Sequence, residues 1–102
     1  MSGRYPSEPE LKHIREYQHE LFDYVPLMEY IGAIWEYADM GYFQRRGRSF
    51  HIHTGGWSGN EDIISAMRGN PIFWATCWHS SKRGGHYRFK CPKFKKKIEK
   101  QA

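Results

Sequence analysis

The feature that most constrains this chain is a change of hydrophobic period at Gly41. Before it, Leu11, Ile14, Leu21, Phe22 and Val25, and then Tyr30, Ile31, Ile34 and Ala38, recur at helical spacing. After it, Ser49 to Thr54 alternates, with Phe50 and Ile52 on one face and His51 and His53 on the other, which is the period of a strand. A chain of 102 residues has room for one modest core. Both periods must therefore share that core, and the fold class that follows is α+β.

Local signals set the expected elements. Ser7-Glu8-Pro9-Glu10 reads as a capped helix start, and Pro26 ends that helix or bends it into a second, with Leu27 leading in and Gly41 as its stop. Arg45-Arg46-Gly47-Arg48 reads as a basic turn. Asn60 to Arg68 is a short helix with Ile63, Ile64 and Met67 inward and Gly69 at its end. Asn70-Pro71 reads as a turn, and Ile72 to His79, rich in aromatic and β-branched residues, as a strand. Ser81 to Gly85 is a hairpin loop and His86 to Cys91 the returning strand. The expectation is two N-terminal helices, then β-α-β-β, with a small, largely antiparallel sheet covered on one side. Residues 1–6 are expected to be a flexible N-terminus, 7–91 a single α+β domain, and 92–102 a basic tail.

The hairpin register stays open between two choices. A five-residue loop groups Phe73, Ala75 and Cys77 with Tyr87, Phe89 and Cys91 on the buried face. It leaves Trp74, Thr76 and Trp78 with His86, Arg88 and Lys90 on the open one. A four-residue loop reverses the grouping, because one residue of slip flips every side chain. The first separates apolar from charged residues better.

Charge bears on the partner. The net charge of +5 conceals a split: residues 1–43 carry three basic against eight acidic side chains, residues 44–102 thirteen against three. Either the second half meets a phosphate-bearing or acidic partner, or the halves neutralise each other within the fold. Aromatics at 17% argue against a disordered chain. No apolar run approaches a membrane span, MSGRYPSEPE lacks the marks of a signal peptide, and the two cysteines, Cys77 and Cys91, suit a reducing compartment. A cytoplasmic location without a membrane partner is expected.

Three constellations carry chemistry. Gly55, Gly56, Trp57, Ser58, Gly59 and Asn60 lead into a helix, where backbone N–H groups and the dipole favour an anion; Ser58 and Glu61 equally fit a capping box. His51 and His53 share a strand face. Zinc would need a third ligand, for which His79, His86 and Asp62 have no confirming spacing, so neither metal nor cofactor is expected. His51, His53 or His86 as proton donors and acceptors, with Arg83 or Arg88 stabilising charge, would suit a phosphodiester. Finally, Trp57, Trp74, Trp78 and Tyr87 could stack on bases while Lys82, Arg83, His86, Arg88 and the tail lysines pair with phosphate.

The block TGGWSGNEDIISAMRGNPIFWATCWHSSKRGGHYRF, residues 54–89, resembles a segment of small proteins encoded by tailed phages and prophages, through TGGWSGNE, the FW and W-x-S-S pair, and RGGHY-x-F. The resemblance implies a phage-type origin and supplies no catalytic residues. The functional expectation is a small binding protein for a nucleic acid or nucleotide signal, acting in a host cytoplasm against host defence. A histidine-dependent phosphodiesterase or nuclease is one alternative; an inhibitor docking on a host protein is another. Under any of these readings the aromatic-rich surface suits a homo-oligomer whose interface completes the site.

Overall fold

In a computed structural model, the structure describes residues 5–93. Helix α1 (Glu8–Glu16) opens on a full capping box: the Ser7 hydroxyl accepts from the Glu10 N–H, and the Glu10 carboxylate accepts from the Ser7 N–H. It stops at Glu16, short of the stripe expected to reach Val25. Residues 17–24 are irregular, and the His19 ring nitrogen accepts the Leu21 N–H there. Pro26 ends nothing. It stands in the first turn of α2 (Val25–Ile34), where its missing N–H has no partner to lose. A 3-10 turn (Ala38–Met40) closes on Gly41 at φ 92°.

Two short strands follow where one was expected. Strand β1 (Phe43–Arg46) pairs antiparallel with β2 (Ser49–His53), so Arg45-Arg46 is strand and only Gly47 and Arg48 turn. Gly47 sits at φ 63°, and a glycine leading a two-residue connection is a hairpin signal. Helix α3 spans Ser58–Arg68. The expected strand over Ile72–His79 is replaced by helix α4 (Pro71–Cys77), and strand β3 begins only at Trp78 and runs to Lys82. The Asn70 side chain caps α4 by accepting the Phe73 N–H. Its amide also donates to the carbonyls of Ile14 and Tyr17 at the end of α1, both at 3.0 Å. Phe73 and Cys77, one turn apart, are the pair that α4 buries. Strand β4 (His86–Lys90) completes an antiparallel sheet of order β1-β2-β4-β3.

The architecture is thus α+β. One sheet face supplies Phe50, Ile52 and Phe89 to a core filled by Ile14, Leu27, Met28, Ile31, Ile63 and Met67 from the helices. Cys77 and Cys91 are free thiols buried in contact in that core; hydrogen bonding to Cys91, with burial, pushes the Cys77 thiol up. Among the described residues no helix is long and apolar enough to cross a membrane. Tyr5 and Pro6, from the segment expected to be flexible, lie against the start of α3. Residues 1–4, and 94–102 of the expected basic tail, lie outside the described residues.

Candidate functional site

Among the described residues the opposite sheet face is largely exposed. Strand alternation and register place Gln44 and Arg46 from β1, Ser49, His51 and His53 from β2, His86, Arg88 and Lys90 from β4, and Ser80 and Lys82 from β3 on this side. No aspartate or glutamate occurs in any of the four strands. Two adjoining hollows occupy the face. One, of about 780 Å³, is lined by Gln44, Arg45, Arg46, Ser49, His51 and Arg88. The other, of about 130 Å³, includes His51, His53, Ser80, Lys82, His86 and Arg88.

The cationic groups divide into spent and unspent. Arg48 is fixed: its guanidinium donates to the carbonyls of Cys91 and Pro92 and to the Asp23 carboxylate. Burial opposes ionisation of Asp23, but the Val25 N–H and Arg48 outweigh it and hold the carboxyl below its usual value. Arg45 points to the helix side, over the Phe50 ring, and pairs with Glu29. Arg15 pairs with Glu8. Arg46, Lys82, Arg88 and Lys90 have no ion pair among the described residues.

The histidines converge in part. His53 and His86 are cross-strand partners, their ring centroids 4.0 Å apart and the rings edge to face. His51 stands opposite Arg88. Burial, helped by the nearby His86 and His51, pulls His53 below the ordinary imidazole range. Among the described residues no set of three or more His, Cys, Asp or Glu is placed to hold a metal ion.

The glycine loop joins β2 to α3 in a tight turn. Gly55 and Gly56 take φ 63° and 74°, a left-handed pair that turns the chain from β2 into α3. Gly55 lies so close to the Tyr42 ring that a Cβ would overlap it. The Trp57 N–H goes to the Thr54 carbonyl and the Gly56 N–H to the Thr54 hydroxyl. Ser58 does not cap: the N-cap residue is Trp57, and the Ser58 hydroxyl bonds to Tyr5 instead. Asn60 is buried, accepting the Glu36 N–H while donating to the carbonyls of Glu36 and Thr54. The Trp57 indole lies over Gly59 and against Tyr5, its N–H buried without an acceptor among the described residues. Of the expected ligand loop, Gly59 and Asn60 are buried, Trp57 is half-buried against Tyr5, and Gly55, Gly56 and Ser58 remain exposed.

The tryptophans also leave the expected face. Trp74 is on α4. Trp78 pairs with Phe89, whereas Ser80 pairs with Arg88 and Lys82 with His86, so one extra residue is inserted at His79. That bulge turns Trp78 to the helix side, while the three-residue loop keeps Lys82 on the open side. His51, His53, His86 and Arg88 come together as expected, and Arg83 is exposed at the hairpin tip. Arg46 and Gln44 were hidden by reading 45–48 as a turn; the signal that reveals them is Gly47 between Phe43-x-Arg45 and the β2 alternation. Compared with protein-family models, curated proteins and solved structures, the chain matches none.

Proposed function

We propose that the open sheet face binds a phosphate-bearing ligand, a nucleic acid or a nucleotide. The observation that carries this reading is the set of unspent cations, Arg46, Lys82, Arg88 and Lys90, on strands without a single carboxylate. Guanidinium groups hold phosphate through paired N–H donors, and three imidazoles on the same face add further ring N–H donors. A structural sheet face has no need to gather like charges, since they repel where cross-strand neighbours meet. The likeness of residues 54–89 to phage-encoded proteins is in keeping with a small binding protein.

The test is a thermal-shift panel of mononucleotides, cyclic dinucleotides and short oligonucleotides, followed by a salt titration of any ligand bound. Arg88→Ala is expected to weaken an oligonucleotide and to reduce the salt slope by about one. Unchanged affinity and slope in Arg88→Ala would refute the assignment.

A second reading rests on the His53–His86 contact. Two imidazoles in contact, next to Arg88 and Lys82, are the equipment for metal-independent phosphodiester cleavage. Chromatography of the incubated nucleotides separates the two readings. Turnover that survives chelator and is lost in His53→Ala or His86→Ala means an enzyme, and ligand recovered intact means a binder.

A further inference from the structure

We propose that the ligand is a single-stranded nucleic acid, with its backbone on the open face and a base stacked on Trp78 at the edge of the sheet. The proposal rests on the phosphate-binding reading and adds what that reading leaves out, the fixed and exposed indole beside it.

Strand β3 is an edge strand, paired on one side only. Its bulge at His79 gives its two ends different duties. Ser80 and Lys82 face the open side with Arg88 and His86, while Trp78 faces the helix side with Phe89. Trp78 and Ser80 are about 7 Å apart along the strand, so a chain lying on the cationic face reaches the indole by crossing one edge.

The indole is 40% exposed, and it is held. Trp74 and Trp78 are four residues apart, one turn at the end of α4, and the Trp78 N–H bonds to the Trp74 carbonyl. Their rings run nearly parallel, centroids 6.0 Å apart and planes 14° apart. Trp74 in turn meets Phe89 and Tyr87 edge-on, and the Arg68 guanidinium lies over its ring. An exposed aromatic fixed by such neighbours loses little freedom when a base stacks on it, which is how single-strand binders use rings beside a basic track. Residues 71–93 contain no acidic side chain, so the β3–β4 hairpin itself carries no group that repels a phosphate chain. A duplex keeps its base faces stacked inside and has none to offer Trp78.

The experiment is anisotropy of the full chain with fluorescein-labelled (dT)15 and (rU)15, against a base-free abasic DNA of the same length. At least one of the two base-bearing oligomers is expected to bind roughly tenfold tighter than the abasic chain. Trp78→Ala should remove that preference and Trp78→Phe keep most of it, while Arg88→Ala weakens all three polymers together. Equal binding of all three by the wild type, or a preference that survives in a folded Trp78→Ala, overturns stacking on Trp78 and leaves the phosphate reading standing. Binding to none of the three overturns the single-strand proposal, and the absence of a thermal shift with mononucleotides and cyclic dinucleotides as well overturns the phosphate reading.

Discussion

Asn70→Asp separates two roles that one side chain fills. As an N-cap, Asn70 accepts the Phe73 N–H, and aspartate does this as well as asparagine. As a bridge, its Nδ2 donates at 3.0 Å to each of the Ile14 and Tyr17 carbonyls, where α1 runs out of internal donors. Asn70 is 4% exposed, so water does not replace what is lost. Counting about 1 kcal/mol for each bond to a carbonyl and about 1 kcal/mol for the cap, Asn70→Ala should cost roughly 3 kcal/mol. Asn70→Asp keeps the cap but sets an acceptor against two acceptors, and its cost should be at least about 2 kcal/mol at neutral pH. In a domain of this size the alanine variant should melt roughly 12–24 °C lower. Urea unfolding followed by tryptophan fluorescence gives both values, with the slope m unchanged if the folded state keeps its compactness. An Asn70→Asp protein within about 0.5 kcal/mol of wild type would refute the bridge and leave α4 held by its cap alone.

Two further outcomes follow from the site. His53 is held below its unfolded value near 6.5, so in the window from its folded pKa up to that value the unfolded chain binds more protons; stability of the free protein should therefore rise with pH through this window and flatten above it. Phosphate binding favours the imidazolium and should strengthen as pH falls over the same range, with Tyr42, His51 and His86 the groups facing the ring. Parallel trends in urea stability and in oligonucleotide affinity would contradict this, and His53→Gln should flatten the rise in stability. At the hairpin, Gly84 and Gly85 share a left-handed φ of 88° and 82°, but only at Gly85 would a Cβ collide with Thr54. Gly85→Ala should then cost clearly more than the roughly 1–2 kcal/mol of backbone strain expected for Gly84→Ala, and equal losses in thermal unfolding would show that the Thr54 contact yields freely.

The sequence by itself determined the class of fold and the chemistry of the site's centre. Periodicity located α2, α3 and β2, and strand parity alone put His51 and His53 opposite Phe50 and Ile52, and His86 and Arg88 opposite Phe89. These are local facts, because alternation along one strand needs no knowledge of its neighbours. Tertiary structure decided what local pattern leaves degenerate. The apolar run after Asn70-Pro71 satisfies both strand and helix, and Asn70 selects the helix by reaching carbonyls more than fifty residues away. The bulge at His79 depends on how β3 meets β4, and it moved Trp78 to the other face. The glycine loop looks alike whether it cradles an anion or turns a chain. Tyr42 and Tyr5, distant in sequence, pack on Gly55 and Trp57, which no local pattern foretells. A local pattern fixes which faces a segment has; only its packing partners fix which face is covered.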